Sequence, residues 1–201
     1  MAQEITVVSD FVCPYCYWLE ALMERLPEHP AVRYAPYQLT RRGQEPVDVA
    51  ADPERRARYA QTLAPACAAL GVDMHLPPRV SPRPYTDLAF QGWYFAREQG
   101  AGDRFYKRVF RAYFQEERDI GDVEVLCTLA QDVGLDAAAL RRALEDGIYA
   151  QAVERDTDAT AEGLEIRMVP TLVCGEHRLE GFVPDVETLQ RWLEETEKED
   201  A

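Results

Sequence analysis

Two cysteines three positions apart are the residues of this sequence best suited to chemistry. They form the run Cys13-Pro14-Tyr15-Cys16, which follows the apolar Ile5-Thr6-Val7-Val8 and opens a helix-forming stretch. Cysteines with this spacing at a helix start lie within the separation that a disulfide needs. Cys13 would stand at the positive end of the helix dipole, which favours the thiolate, the attacking species in disulfide exchange. The pair therefore predicts thiol–disulfide exchange.

A zinc site is the main alternative use of this pair. Structural zinc takes four ligands, ordinarily with a second Cys-x-x-Cys or a histidine pair. The remaining cysteines and histidines are scattered without such spacing: Cys67, Cys127, Cys174, His29, His75 and His177. We therefore predict no metal and no tightly bound cofactor. A purely structural disulfide is also disfavoured, because so short a loop constrains the unfolded chain little.

The other three cysteines have no predicted role. Cys67 and Cys127 stand among apolar residues and are expected to be buried, as small apolar side chains usually are. Cys174 precedes Gly175 in a predicted turn, so we expect it to be more exposed.

Length and charge restrict the class of function. The 201 residues can bury one substantial core, and 36 acidic against 22 basic residues give a net charge of −14. Nucleic acid and anionic membranes bind basic surfaces, so neither is an expected partner. The sequence shows no apolar stretch of membrane-spanning length and no secretory leader at its start, so a cytoplasmic location is expected.

Hydrophobic patterns predict an order of elements. Strand Glu4–Ser9, helix Pro14–Leu26 and strand Val32–Leu39 open the chain as β-α-β, and Pro36 suggests an edge position or a bulge for the second strand. Helical patterns follow, with Asp52, Asp122 and Asp136 as N-caps and a break expected near Pro65. Strand signals then return in a hairpin formed by Thr171–Cys174 and His177–Phe182, before a closing helix from Asp185 to Glu197.

This sequence resembles the DsbA-like branch of the thioredoxin superfamily, and within it the FrnE-like cytoplasmic group. The resemblance spans nearly the whole chain and rests on these stretches: Phe11 to Cys16, Arg83-Pro84-Tyr85-Thr86, Phe110 to Gly121, Asp122 to Leu126 and Val169-Pro170-Thr171. It implies an α/β thioredoxin fold (β-α-β … β-β-α) with an all-helical insertion domain. Residues 1–45 and 160–201 would form the thioredoxin-like domain, and residues 46–159 the insertion.

The resemblance also implies roles at the site. Pro170 would follow a cis bond and lie across from Cys13, with the Val169 backbone offering strand-like hydrogen bonds to a substrate. From the residues alone, an ordinary trans proline at a strand start remains the alternative. Cys13 would attack as the exposed thiolate, and Cys16 would resolve the mixed disulfide.

Residues around the two cysteines receive weaker expectations. Pro14 and Tyr15 would bind substrate and tune the reduction potential. Because Tyr15 supplies no imidazolium, we expect a less oxidising couple than that of a Pro-His pair. Asp10 or Glu20 could assist proton transfer, although an acid at the position of Glu20 usually faces solvent. Aromatic residues nearby would line either a substrate groove or the core: Phe11 and Trp18.

The predicted function is thiol–disulfide oxidoreductase or isomerase activity on protein or small-molecule disulfides, with glutathione as a possible redox partner. A second possibility is a glutathione-dependent isomerase of aromatic or polyketide-like compounds on the same fold. That group usually has a serine where this sequence has Cys13, so both cysteines favour redox chemistry. A third is a chaperone-like binding protein that uses the helical insertion. Substrate, direction of electron flow and oligomeric state are left open.

Overall fold

The computed structural model describes residues 4–199, so the first three and last two residues of the expected thioredoxin-like ranges lie outside the described part. Strands occur only in the first and last parts of the described chain, with helices alone between them. In chain order they are β1 (Ile5–Ser9), α1 (Pro14–Met23), β2 (Val32–Pro36), α2 (Pro53–Gln61), α3 (Leu63–Leu70), α4 (Asp87–Glu98), α5 (Gly102–Phe114), α6 (Val123–Asp132), α7 (Ala137–Glu145), α8 (Ala150–Gly163), β3 (Thr171–Cys174), β4 (His177–Glu180) and α9 (Val186–Glu199).

One four-stranded mixed sheet, in the order β2-β1-β3-β4, joins the two ends of the chain. β1 is parallel to β2 and antiparallel to β3, and β3 pairs with β4 as a hairpin. β1 is buried along its whole length, which suits its β-branched residues. Pro36 ends β2 at an edge of the sheet, as predicted. The predicted α/β class with a helical block between two sheet fragments is confirmed, whereas the domain boundaries stay a prediction, and α8 crosses the one at 159/160.

Helix α1 directs the two cysteines into the molecule. Pro14 occupies its first turn, where the missing N–H costs nothing, and nearly every later residue is buried. The helix ends at Met23 rather than at the predicted Leu26. The last turn tightens there, because Arg25 N–H donates to Leu22 O and Leu26 N–H to Met23 O, each three residues back.

The predicted break near Pro65 is confirmed and has a steric cause. α2 ends at Gln61, four residues before Pro65, and α3 starts at Leu63. A proline ring clashes with the carbonyl four residues earlier, so one continuous helix could not pass through Gln61. Pro65 is instead accommodated in the first turn of α3.

The hairpin at the end of the sheet differs from expectation in two ways. β4 stops at Glu180 instead of Phe182, because Gly181 takes a left-handed conformation with φ of 78° that turns the chain. Cys174 is only 2% exposed, so its expected exposure is wrong. It ends β3 rather than standing in the turn, and its side chain packs into the core.

The core has two parts that meet at α1. One joins the end of β1 to the aromatic faces of α4 and α5, and the other joins the opposite face of β1 to α3 and α9. Phe11 belongs to the first part and Trp18 to the second, so both are core residues rather than groove residues. Cys67 and Cys127 are buried, as predicted. Across residues 4–199, no helix combines the length and the apolar character needed to cross a membrane.

Candidate active site

The turn from β1 into α1 fixes Cys13 at the helix start. Cys13 N–H donates to Asp10 O at 3.0 Å, and Cys13 has the extended conformation of an N-cap residue. Its own carbonyl accepts from Cys16 N at 3.1 Å and from Tyr17 N at 3.2 Å. Cys16 therefore stands one helical turn deeper than Cys13, on the same helix.

Both sulfurs are less accessible than a simple reading of the motif suggests. Cys13 is 4% exposed and Cys16 1%, and the two are not joined in a disulfide. The prediction of an exposed Cys13 is wrong, because its Sγ lies against the backbone before β3 and donates to Val169 O at 3.5 Å.

The wall facing Cys13 is the segment that leads into β3. The Val169–Pro170 peptide bond is cis, as the family resemblance implies. Thr171 Oγ1 donates to Met168 O at 2.8 Å, and Gly181 N–H donates to Pro170 O at 2.8 Å. These bonds hold the wall from both sides. Val169 and Pro170 thus lie where a substrate role needs them, and that role stays a prediction.

The Trp18 indole joins helix α1 to a second segment, the one that follows β4. Trp18 Nε1 donates to Val183 O at 2.6 Å, which joins α1 to the segment after β4. The bond is buried, so it fixes the position of the helix more firmly than an exposed one would.

Tyr15, two residues after Cys13, belongs to an aromatic group. The half-buried Tyr15 ring lies edge-on to Phe182 at 5.7 Å and to Tyr59 at 6.0 Å, and its hydroxyl is 3.1 Å from Thr62 Oγ1. Sequence reasoning found Tyr15 but missed Tyr59 and Phe182. Tyr59 is in α2, far from the motif in sequence, and the sequence pattern predicts that Phe182 is part of a strand.

Asp10 is a fully buried carboxylate directly before the motif. Its Oδ2 accepts from Leu39 N at 2.7 Å. Burial raises the pKa of Asp10 to about 6, and this rise is limited by the Leu39 N–H, the nearby Thr86 hydroxyl and the Arg83 guanidinium. The structure thus brings Asp10 to the base of the site.

Cys16 shares this buried environment. Burial is the main reason that the pKa of Cys16 lies well above the ordinary thiol value, and the Cys13 sulfur and the Asp10 carboxylate add to the rise. The Asp10 main-chain N–H acts in the opposite direction by stabilising the Cys16 thiolate. Cys16 is therefore a protonated thiol that needs help to ionise.

Glu20 is also buried, so the expectation that it faces solvent is wrong. It accepts a hydrogen bond from the Tyr34 hydroxyl at 3.0 Å. Burial raises the pKa of Glu20 to about 8, against the lowering effects of that bond and of Lys107. Its neighbours include Tyr34 of β2 and Lys107 of α5.

The part of the chain that the structure describes contains no group of three or more histidine, cysteine, aspartate or glutamate side chains arranged to hold a metal ion.

Comparison with known proteins gives matches over nearly the whole chain. The model of the DSBA-like thioredoxin domain family matches residues 4–194. A relative from Bacillus subtilis, the uncharacterized protein YwbO, is 36% identical over 183 residues, which cover 90% of this chain and 91% of the relative.

Three solved structures share the fold. A probable DsbA oxidoreductase from Streptomyces coelicolor superimposes with a TM-score of 0.80 at 24% identity, covering 98% of this chain and 91% of the other. A 2-hydroxychromene-2-carboxylate isomerase superimposes with a TM-score of 0.72 at 17% identity, covering 98% of this chain and 96% of the other. The cytosolic disulfide reductase DsbM from Pseudomonas aeruginosa, solved with GSH, superimposes with a TM-score of 0.66 at 17% identity, covering 98% of each chain. Identities this low show the fold alone.

Proposed function

The chain belongs to the DSBA-like thioredoxin domain family, and on that premise we propose that it catalyses thiol–disulfide exchange through Cys13 and Cys16. One observation carries the proposal. Cys13 occupies the N-cap position of α1, and its sulfur lies 3.5 Å from Val169 O, next to the cis Pro170 in sequence. A second thiol, that of Cys16, lies one helical turn deeper. Cys13 lies beside the Val169 backbone, which suits it to the first attack, and the greater depth of Cys16 suits it to the second step.

In the reducing direction, two exchanges transfer one electron pair. The Cys13 thiolate attacks a substrate disulfide, forming a mixed disulfide and releasing one substrate thiolate. Cys16 then attacks Cys13 Sγ, forming the Cys13–Cys16 disulfide and releasing the second substrate thiolate. The substrate gains two electrons and the cysteine pair loses two. Each step reverses in the oxidising direction.

The surface next to Cys13 supports polypeptide disulfides as substrates. Few large apolar side chains of the described residues are exposed, and two of them belong to segments that border the site: Met168 and Phe182. Met168 directly precedes Val169, and Phe182 contacts Tyr15. An exposed apolar group beside a buried thiol suits the apolar stretches of a partly unfolded chain.

A small thiol such as glutathione is the proposed source or acceptor of electrons for the cysteine pair. DsbM, which shares the fold, was solved with GSH, and this supports the choice of glutathione as the first redox partner to assay. The expected cytoplasmic location agrees with that partner and stays a prediction.

The isomerase alternative uses the same fold, so the fold cannot separate the two functions. The presence of Cys13 favours redox chemistry, because an isomerase that binds glutathione has no use for two exchanging thiols.

Insulin reduction by dithiothreitol tests the proposal. Wild type should accelerate the appearance of turbidity, and Cys13→Ser should abolish the acceleration because the attacking sulfur is gone. Cys127→Ala, which removes a buried thiol on α6, is the matched control and should behave as wild type. Full acceleration by Cys13→Ser would contradict the proposal.

A further inference from the structure

A polar groove lies between α4, α8 and the loop that follows β2. Its lining includes Asp87 and Gln91 of α4, Val153 and Thr157 of α8, and Arg41 and Arg42 of the loop. The groove has a volume of about 260 Å³, slightly below the roughly 300–1,000 Å³ of sites for drug-sized ligands. It therefore suits a smaller molecule, and the exchange reaction described above uses none of these residues.

Two side-chain oxygens of α4 lack a hydrogen-bond donor. Gln91 is only 4% exposed, and both its Oε1 and Asp87 Oδ1 are buried without a partner among the described residues. Folded proteins rarely leave a buried acceptor unsatisfied, because it has lost its hydrogen bonds to water. Asp87 and Gln91 are four positions apart, so they lie on the same face of α4. A ligand that brings N–H donors into the groove would satisfy both oxygens.

Two arginines add positive charge at the rim of the groove. Arg42 Nε donates to Asp87 Oδ2 at 2.6 Å, and its guanidinium lies 5.4 Å from the centre of the Tyr85 ring. Arg41 Nη1 donates to the Asp158 carboxylate. The Arg41 side chain is 38% exposed and that of Arg42 57%, which places both at the rim. Because a guanidinium has five N–H donors, each arginine keeps donors for a carboxylate of a ligand.

The wall that α8 contributes is mostly uncharged. Val153 and Thr157 are buried, and Thr157 Oγ1 accepts from Gln38 Nε2 at 3.4 Å. An acid, Glu154, also belongs to this wall, and it is exposed. A ligand that lies against Val153 therefore needs a small, uncharged side chain there.

We propose that this groove binds a free α-amino acid with a small, uncharged side chain. The ammonium donates to Gln91 Oε1 and Asp87 Oδ1, and the carboxylate accepts from Arg41 and Arg42. The side chain lies against Val153. An ammonium and a carboxylate on one carbon match a groove that has buried acceptors and, at its rim, cations.

The groove is close to the exchange site but distinct from it. Leu39, two positions before Arg41, donates its N–H to Asp10 Oδ2 at 2.7 Å. Thr86, the residue before Asp87, interacts with the same carboxylate. Since the proposed ligand contacts neither Cys13 nor Cys16, its binding can be measured without thiol exchange. A failure of this inference is therefore distinguishable from a failure of the proposed function.

Isothermal titration calorimetry of the full chain with L-alanine at neutral pH tests the inference. Propionate is L-alanine without its amino group, and ethylamine is L-alanine without its carboxylate. We expect L-alanine to bind, and each of these two fragments to bind about tenfold more weakly or worse, because each leaves one set of partners unused. L-Glutamate should also bind more weakly than L-alanine, because its second carboxylate would lie against Val153.

Gln91→Leu should weaken the binding of L-alanine about tenfold or more, since it removes the buried acceptor and keeps a side chain of similar size. Arg41→Gln should weaken it as well by removing a cation from the rim. Arg41 is partly exposed, so its variant should fold even if the Gln91 variant does not. Trp93→Phe is the matched control. It removes another buried polar atom of α4 that has no partner among the described residues and lies outside the groove lining, and it should bind L-alanine as wild type does.

Glutathione carries an ammonium and a carboxylate on one carbon at its γ-glutamyl end, but on a longer molecule. It is titrated into Cys13→Ser, so that thiol exchange through Cys13 does not contribute. Tighter binding of glutathione than of L-alanine, weakened by Gln91→Leu, would overturn the assignment to a free amino acid. The inference is also overturned if L-alanine does not bind at millimolar concentration, if propionate or ethylamine binds equally well, or if Gln91→Leu and Arg41→Gln both keep the wild-type affinity.

Discussion

The Cys13 sulfur lies 3.5 Å from the main-chain oxygen of Val169, although 156 residues separate the two in sequence. The sheet brings them together. β1 and β3 are antiparallel neighbours with Val8 opposite Thr171, so the segment that follows β1 meets the segment that precedes β3. The reaction centre therefore depends on the pairing of two strands from opposite ends of the chain.

The different depths of the two sulfurs predict which variant traps substrate. Cys16→Ser should accumulate a covalent complex with a disulfide substrate, because the thiol that releases the Cys13 mixed disulfide is missing. Cys13→Ser should accumulate none, since Cys16 is too deep to attack. Non-reducing electrophoresis after incubation with oxidised insulin measures both. A complex that forms with Cys13→Ser and not with Cys16→Ser would show that the two roles are reversed.

Tyr15 is expected to set the reduction potential. Tyr15→His should make the couple more oxidising by about 30 mV or more, because an imidazolium at this position stabilises the Cys13 thiolate in the reduced state and about 30 mV corresponds to a tenfold change in the equilibrium constant. Equilibration with glutathione redox buffers, followed by alkylation and mass spectrometry, gives the potential.

Tyr15→Phe is the matched control for this prediction. It keeps the ring that packs against Tyr59 and Phe182 and removes only the hydroxyl near Thr62. Its potential should stay close to that of wild type. Equal shifts in both variants would assign the effect to the lost hydroxyl, not to charge.

Local patterns in the sequence predicted those features of the fold that local physics controls. Asp52, Asp122 and Asp136 each accept from backbone N–H groups at a helix start, as expected of N-caps. The break before Pro65 follows from the proline ring alone. The position of Cys13 at the start of α1 likewise depends only on the residues around it.

Contacts between distant segments could not be predicted in the same way. Arg83 is in a proline-rich connector without periodicity, and nothing in its neighbours indicates that its side chain faces Asp10. Glu20 appeared able to face solvent because the sequence does not show that β2 and α5 cover that side of α1. Phe182 reached Tyr15 through the turn at Gly181, which a strand pattern does not reveal.

The raised pKa of Glu20 predicts that the folded protein loses stability at high pH. Its pKa is raised from an ordinary value near 4.5 to about 8 in the folded protein. The neutral form is favoured in the fold, so this contribution to stability is fully present below pH 4.5 and is lost as pH rises through 8. Glu20→Gln keeps an acceptor for the Tyr34 hydroxyl and cannot ionise. Its advantage over wild type in free energy of unfolding should grow by roughly a few kcal/mol between pH 5 and pH 9.

Urea unfolding of both proteins at pH 5, 7 and 9 measures this difference. Asp103→Asn is a suitable control, because it removes an acid from the same neighbourhood without removing the buried carboxyl. A constant difference between Glu20→Gln and wild type across this range would mean that Glu20 does not change protonation on unfolding.

Two buried indoles differ in one respect that stability measurements can resolve. Trp18 Nε1 donates to Val183 O, whereas Trp93 Nε1 is buried without a partner among the described residues. Trp18→Phe leaves the Val183 carbonyl unsatisfied and should destabilise the protein by about 1–3 kcal/mol beyond the loss of ring volume. Trp93→Phe removes an unsatisfied donor, which offsets part of the lost packing and of the contact with the Arg97 guanidinium.

Trp18→Phe should therefore lower the free energy of unfolding clearly more than Trp93→Phe does, as measured by chemical denaturation. It should also slow insulin reduction, because the Trp18 bond holds α1 against the segment after β4, next to the wall that faces Cys13. Trp93 lies in the middle of α4 and packs against Tyr34 and Tyr106 rather than against the wall that faces Cys13, so its replacement should leave the reaction unchanged. An equal loss of stability in the two variants would show that ring volume, and not the Trp18–Val183 bond, determines the cost.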